Sequence, residues 1–326
     1  MTAHTTFYDQ IAANRRDSFV LGLVVVVLLG LLGAAIGYAL TGQTSGIVVV
    51  TVGALAFGVL TSIGSYVAGD QLVLTASAAR PVDPASAPQL MNVVQELAIS
   101  AGVPMPKVYV IDDTAPNAFA TGRDPEHASI AVTRGLLEKL DREELQGVIG
   151  HELSHVRNYD IRYSLLVGVL VGSIALLADL FLRYTFWFGG GRRSSSDRGG
   201  GGLQIIVFVL AIVLAILAPI AARFVQMAVS RQREYLADAS SVQLTRNPTG
   251  LERALERIST DKEVLEVANR ATQHMYFTNP IKKFEERSSN LFSTHPPILA
   301  RIQRLRELTG EGPIPAEEVA ELQGLD

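Results

Sequence analysis

Hydrophobic positions along the chain are concentrated in long stretches that contain no charged residue. There are three such stretches, at residues 18–69, 163–178 and 199–222. Helices of a soluble domain have a polar face that is exposed to solvent, whereas a helix that crosses the hydrocarbon core of a bilayer needs about 20 apolar residues. The pattern therefore predicts four membrane-spanning helices, at residues 19–40, 47–68, 161–182 and 203–222.

These four segments form two predicted hairpins. The first pair is joined by the turn "TGQTSG", and the second run follows the first too closely for a cleaved signal peptide. The third segment is the least apolar, because Arg162 lies at its start and it contains Asp179. Asp179 and Arg183 are four residues apart on one helix face, so we expect them to pair near the membrane interface. A buried soluble helix is the alternative for the fourth segment, which has Pro219 near its end.

Between and after the hairpins the pattern becomes that of a globular protein. We predict an N-terminal transmembrane hairpin (1–70), the first half of a soluble domain (71–160), an inserted hairpin (161–222) with a Gly/Ser-rich loop (189–202), and the second half of the soluble domain (223–326). The fold class expected is mainly α with a small β-sheet, plus four transmembrane helices.

Within the first soluble half, short patterns predict individual elements. They are a helix around 91–101, a strand within 106–113, and a β-hairpin formed by 117–122 and 128–133. A helix follows, for which Asp141 is the predicted N-cap and Glu144 the partner in a capping box.

Composition narrows the function classes. The 326-residue chain has a net charge of −4, so nothing indicates a nucleic-acid partner. It contains no cysteine, which excludes disulfides and Cys-ligated metal sites. Any metal must therefore be held by His, Asp or Glu.

The segment "HELSH", residues 151–155, is the strongest chemical signal. His151 and His155 are four residues apart, so a helix places both rings on one face, as two ligands of a tetrahedral metal require. Glu152 flanks the pair and lies close enough to act on water at the metal without being a ligand. This H-E-x-x-H spacing is typical of zinc peptidases, although so short a pattern can also occur by chance.

A catalytic zinc takes three protein ligands and one open position. "SRQREYLADAS" continues out of the fourth apolar segment and offers Glu234 as the third ligand. His151 precedes its apolar segment by ten residues and Glu234 follows its own by twelve, so both would lie at a similar height. Asp238, one turn later, would orient a ligand histidine. A surface i,i+4 ion pair is the alternative for Glu234.

"HELSH", "SRQREYLAD" and "STHPP", in this order with four apolar segments, resemble the HtpX-type heat-shock membrane metallopeptidases. They resemble more distantly the prenyl-protein (CAAX) peptidases of the same zincin class. The resemblance implies that His151, His155 and Glu234 hold one zinc ion per chain and that Glu152 is catalytic. It also implies that His295 stabilises the oxyanion, where a simple helix-cap role is the alternative.

The resemblance further implies that "NAFATG" is an edge strand that receives an extended substrate. The residues concerned are Phe119, Ala120, Thr121 and Gly122.

The function expected is a zinc-dependent endopeptidase that cleaves membrane or misfolded proteins in quality control and stress response. Eight arginines near the membrane ends on the soluble-domain side, against four on the other, favour a catalytic domain on the cytoplasmic side of the cell membrane. Assembly into a homo-oligomer is left open.

Two alternatives remain. A prenyl-protein peptidase is disfavoured because four apolar segments are too few to enclose a lipid tail. A non-catalytic scaffold with structural zinc would need a fourth protein ligand.

Overall fold

The computed structural model describes residues 7–188, 201–261, 263, 265, 276–277, 296–315, 317, 319 and 322. Its helices are α1 (Phe7–Thr41), α2 (Thr44–Ala76), α3 (Pro88–Ala101), α4 (Arg134–Lys139), α5 (Arg142–Arg157), α6 (Asp160–Phe188), α7 (Gly201–Thr245), α8 (Pro248–Thr260) and α9 (Ile298–Thr309). Its strands are β1 (Arg80–Pro81), β2 (Lys107–Ile111), β3 (Ala118–Gly122) and β4 (Ala128–Thr133). The predicted fold class, mainly helical with a small sheet and four apolar helices, is confirmed.

The chain divides into two compact units by its internal contacts. One unit, here called the membrane unit, comprises Met1–Tyr66 and Leu166–Gln226. The other, the globular unit, comprises Val67–Leu165 and Met227–Asp326. These bounds differ from those of the four predicted segments, whose status as separate domains stays a prediction.

Among the described residues, four helical segments are long and apolar enough to cross a membrane, as the hydrophobic pattern predicts. They are Leu23–Thr41, Thr44–Gly64, Asp160–Thr185 and Ile205–Ala222. Large aliphatic side chains point outward from them; Val49 is 70% exposed and Leu60 is 68% exposed. Such outward-facing aliphatic surface is stable in lipid rather than in water.

Glycine lets the first two helices approach closely within the membrane unit. A Cβ atom added to Gly33 would lie 3.1 Å from both the Ala54 Cβ and the Thr51 Cα. Small residues at such contacts are characteristic of helices that pack within lipid.

The predicted pair of Asp179 and Arg183 is also present, with a hydrogen bond of 2.7 Å between Arg183 Nε and Asp179 Oδ2.

The sheet of the globular unit has the strand order β1-β2-β4-β3. β2 and β4 are parallel, whereas β3 is antiparallel to β4 and pairs Ala120 with Ile130. β3 therefore lies at the edge of the sheet, and the predicted hairpin of 117–122 with 128–133 is confirmed. A short 3₁₀ turn, Pro125–His127, connects its strands.

Helix α5 packs in the centre of the globular unit. Its N-terminus has the predicted capping box, in which the Asp141 side chain accepts from Glu144 N–H and the Glu144 carboxylate accepts from Asp141 N–H. Its apolar stripe, which includes Val148 and Ile149, is fully buried in the core against α3, α8 and the sheet. This burial fixes which face of α5 is left for chemistry.

Two glycines of α5 permit the neighbouring helices to come close. A Cβ on Gly147 would lie 2.7 Å from the backbone of Leu251 on α8, and one on Gly150 would lie 2.8 Å from Ser241 Oγ on α7. Ser241 Oγ donates to the Gly147 carbonyl at 2.7 Å, which anchors α7 on α5. Glu234 lies seven residues, or about two helical turns, before this anchor.

Candidate metal centre

His151 and His155 lie one turn apart on α5, as their spacing predicts. His151 is completely buried, and His155 is partly buried. Their Nε2 atoms are 3.1 Å apart and their rings are nearly perpendicular, at 86°. Two ring nitrogens this close to each other can share one cation.

Glu234, on α7, supplies a third donor to the same point. Its Oε2 lies 3.6 Å from His151 Nε2, and its Oε1 lies 3.5 Å from His155 Nε2. One ligand atom from each of the three side chains lies within 4.8 Å of the others. The structure thus brings together the three residues that the sequence singles out as ligands.

The second nitrogen of each ring is bonded to a carboxylate. His151 Nδ1 lies 2.9 Å from Asp238 Oδ1, and His155 Nδ1 lies 3.1 Å from Asp160 Oδ2. A carboxylate accepts, so each Nδ1 donates, and in the neutral form of each ring Nε2 then keeps its lone pair for a cation. Carboxylate partners of this kind orient ligand histidines in metalloproteins.

Glu152 is buried beside the pair and belongs to no ligand set. The backbone N–H of Ala120 on β3 lies near its carboxylate and acts to lower its pKa. Burial is the main cause that raises the pKa of Glu152 to about 7. A carboxyl with a pKa near neutrality can both accept and release a proton.

The predicted substrate strand, β3, is buried along its whole length. Ala118 and Ala120 direct backbone groups away from β4: the Ala118 carbonyl accepts from Phe277 N–H at 2.7 Å, and the Ala120 N–H lies towards the Glu152 carboxylate, whose pKa it lowers. Gly122 has a φ of 140°. A Cβ there would collide with the His127 carbonyl, so only glycine fits.

The predicted catalytic residue His295 lies outside the described residues, as do His4 and His274. The helix predicted to follow it does begin at Ile298. His127 bonds Asp124 on the surface.

With this geometry in hand, comparison with known proteins decides the family. The model of "Peptidase family M48" matches residues 84–309 of the chain. The chain belongs to peptidase family M48.

Curated relatives of this M48 peptidase are similar over nearly their whole length. It is 44% identical to a "Protease HtpX homolog" of Streptococcus gordonii over 301 residues, which is 92% of this chain and 99% of that protein. It is 46% identical to a "Protease HtpX homolog" of Ligilactobacillus salivarius over 303 residues, with the same two shares. The resemblance predicted from the motifs is confirmed, and the chain is a membrane-bound metalloendopeptidase.

A solved structure, Ste24p of S. mikatae, matches at lower similarity. The alignment covers 76% of this chain and 56% of that one, at 22% identity and a TM-score of 0.47. Likeness at this level supports no conclusion about the M48 peptidase described here.

The donor set of the M48 peptidase fits a divalent metal. Burial lowers the pKa of His151 to about 4, so this ring is neutral at pH 7, as a metal ligand must be. Burial acts in the same direction on His155, but Asp160 and Glu234 outweigh it and raise its pKa to about 10. Carboxylates that favour a proton on His155 would equally favour a cation at the same place.

Sequence reasoning missed two charged residues of this centre, Asp160 and Arg301. Asp160 can reach His155 because α5 ends at Arg157 and Tyr159 adopts a left-handed φ of 61° before α6 begins. No glycine or proline marks this break. Arg301 is on α9, and its position in "STHPPILAR", six residues after a candidate histidine, was the available signal.

Proposed function

We propose that the chain is a zinc-dependent endopeptidase in which His151, His155 and Glu234 hold one zinc ion and Glu152 is the catalytic base. The observation that carries the proposal is the convergence of three donors around one point, with each histidine's other nitrogen tied to a carboxylate. Glu152 is buried next to these donors without being one of them.

Zinc is the ion that this donor set favours. Two imidazoles and one carboxylate, without cysteine, are the ligands of catalytic zinc sites that leave a fourth position open. Calcium and magnesium prefer sites built from oxygen atoms alone. Within the described residues, no fourth His, Cys, Asp or Glu joins the cluster, which argues against a closed structural site and hence against the scaffold alternative.

Glu152 would move the proton in the reaction. A zinc ion held by the three ligands would supply Lewis acidity and make water at the site more acidic. Glu152 takes the proton from the attacking water and then delivers it to the amine that leaves. The Ala120 N–H near the carboxylate favours the ionised form of Glu152, which is the form that accepts the proton.

We propose that β3 binds the substrate as an added strand. The backbone of Ala120 and Gly122 belongs to the edge that faces away from β4, and an extended peptide can pair there without regard to its sequence. Phe277 already pairs with the Ala118 carbonyl, so the peptide would pair beyond that position. Such sequence-tolerant binding suits a protease that cleaves membrane or misfolded proteins.

His295 remains our candidate for stabilising the oxyanion. It lies three residues before α9, and Arg301 on the second turn of α9 reaches the metal centre. This proximity along the chain supports the role. Donors of this kind contribute about 10²–10³ in rate.

The site is proposed to lie near the cytoplasmic surface of the cell membrane. Glu234 follows the apolar span Ile205–Ala222 by only twelve residues of sequence. The excess of arginine on the soluble-domain side favours the cytoplasm. Prenyl-protein cleavage is the second candidate, and the four-span count disfavours it.

The proposal is tested on the purified full-length protein by measuring zinc content and casein cleavage. Glu152→Gln should retain zinc and lose cleavage by about 10³-fold, because it removes the base and leaves the ligands. The matched control is Glu143→Gln on the same helix, since Glu143 is exposed and pairs only with Arg253 and nearby polar groups at the surface. This control should retain both properties.

The proposal fails if Glu152→Gln cleaves casein at the rate of the unchanged protein. It also fails if a chelator removes the metal without affecting cleavage. A prenyl-protein peptidase would instead cleave prenylated peptides and leave casein intact.

A further inference from the structure

Arg301 is the largest fully buried side chain among the described residues, with 1% of its surface exposed. Burying a guanidinium is unfavourable unless it is paired and hydrogen-bonded. Neither the sequence motifs nor the proposed chemistry gives Arg301 a part. Its contacts therefore need a separate explanation.

The guanidinium of Arg301 donates two hydrogen bonds to the Asp238 carboxylate. Nε lies 2.9 Å from Asp238 Oδ2, and Nη2 lies 2.6 Å from Asp238 Oδ1. Asp238 Oδ1 is also the atom that lies 2.9 Å from His151 Nδ1. A bidentate pair of hydrogen bonds of this kind fixes both the position and the plane of a carboxylate.

Three other contacts hold the guanidinium itself in place. Nη1 donates to the Phe277 carbonyl at 3.2 Å, and the guanidinium carbon lies 4.7 Å from the centre of the Phe277 ring. Nη1 also lies 3.6 Å from Glu234 Oε2. The Phe277 ring in turn packs edge-on against His151, at 4.9 Å between ring centres. Arg301 is thus restrained from both sides.

We propose that Arg301 is a positioning residue of the metal centre, which fixes the Asp238 carboxylate and through it the ring of His151. The inference rests on the proposed function, because it assumes that His151 binds the ion. Arg301 does not touch the reacting atoms. Its Nη2 lies 3.3 Å from His151 Nδ1, but both groups are donors when Nδ1 bonds Asp238, so Arg301 acts through the Asp238 carboxylate. When Asp238 is held in one plane, the His151 Nδ1 proton has a single acceptor and Nε2 has a single direction.

A lysine at this position would keep the positive charge but lose the bidentate hydrogen bonds to Asp238. An ammonium group is a point donor and cannot make two parallel hydrogen bonds to one carboxylate. If Arg301 served only to neutralise Asp238 and Glu234, lysine would replace it fully. If it positions Asp238, lysine would leave the carboxylate free to turn.

The test measures zinc affinity of the full-length protein by competition with a chelator, together with its unfolding temperature. The variants are Arg301→Lys, Arg301→Met, Asp238→Asn and the double variant Arg301→Met/Asp238→Asn. Arg304→Met is the matched control, because Arg304 is on the same helix, is exposed, and stacks on the Tyr235 ring. Affinity is a better readout than cleavage because it reports on the ligands directly.

We expect Arg301→Lys and Arg301→Met to weaken zinc binding by about 10-fold or more, as loss of the partners that orient a ligand does. Asp238→Asn should weaken it similarly. The double variant should bind no more weakly than the weaker single variant, since both changes interrupt one chain of contacts. Arg304→Met should leave the affinity unchanged.

The inference is overturned if Arg301→Lys binds zinc as tightly as the unchanged protein, or if the effects of Arg301→Met and Asp238→Asn multiply. A lower unfolding temperature with unchanged affinity would also overturn it, since that result describes a merely structural residue. If Arg301→Met does not fold, Arg301→Lys and the charge-balanced double variant decide. Absence of zinc binding by the unchanged protein would instead refute the proposed function.

Discussion

The membrane unit and the globular unit distribute charge and apolar surface in opposite ways. The membrane unit turns large aliphatic side chains outward, as at Val49 and Leu60, whereas the globular unit buries its own, as at Val148. The globular unit also buries charge. Nine Asp, Glu and Arg residues are buried among those described, and five of them lie at the metal centre: Glu152, Asp160, Glu234, Asp238 and Arg301.

This difference separates two reasons for breaking the usual pattern of soluble proteins. Outward aliphatic surface is favourable only where the surroundings are lipid. Buried charge is tolerated only where partners or a metal compensate it, and such groups concentrate at functional sites. The first departure therefore identifies the environment of the chain, and the second identifies where its chemistry takes place.

The largest effect is expected for a charge placed on the outward surface of the membrane unit. Val52, near the middle of the span Thr44–Gly64, is 59% exposed. Val52→Arg should disfavour membrane insertion of this helix by about 3 kcal/mol. The measurement is a glycosylation-site insertion assay, with Val52→Leu as the control that inserts normally.

The same substitution in the globular unit provides the contrast. Ile99 on α3 is 75% exposed, more than Val52, and Ile99→Arg should change the free energy of unfolding by less than about 0.5 kcal/mol. If Val52→Arg inserts as efficiently as Val52→Leu, the outward face of α2 does not contact lipid.

A smaller effect is expected where α8 crosses α5. Gly147→Ala would place a Cβ 2.7 Å from the Leu251 backbone, and backbone atoms cannot move aside as a flexible side chain can. We expect a loss of about 2 kcal/mol in the free energy of unfolding. Gly53→Ala is the control, since nothing lies within 4 Å of its added Cβ. Equal stability of the two variants, measured by denaturant unfolding, would show that the α5–α8 contact is looser than described.

The smallest effect concerns the start of the catalytic helix. Asp141→Ala removes the side chain that accepts from the N–H groups of Glu143 and Glu144, and should lower the free energy of unfolding by about 1 kcal/mol. Asp141→Asn, which keeps an acceptor, should lower it by less. An equal loss for both substitutions, in the same unfolding measurement, would assign the effect to charge rather than to capping.

Local patterns were enough to predict the elements and three convergent donors. Uncharged length predicts the spans, two short strand-like runs separated by a turn predict the hairpin of β3 and β4, and the four-residue spacing places His151 and His155 on one face. Glu234 is predicted because it lies about as many residues from its apolar segment as His151 lies from its own. Each of these inferences uses residues close in sequence or a regular helical rise.

The remaining members of the site depend on tertiary packing. Asp160 reaches His155 only because the helix breaks at Tyr159, in a sequence without a conventional helix breaker. Arg301 reaches Asp238 of α7, 63 residues away along the chain, because α9 packs on α8 in the globular unit. Neither approach follows from a helical or strand period in the sequence.

The central claim is that one ion is held by two rings of α5 and one carboxylate of α7. The most direct test is the zinc anomalous signal in crystals of the zinc-loaded full-length protein. The account predicts one peak per chain, bonded at about 2.0–2.2 Å to His151 Nε2, His155 Nε2 and a Glu234 carboxylate oxygen. A peak elsewhere, or a peak on the two histidines with Glu234 outside bonding distance, would contradict it.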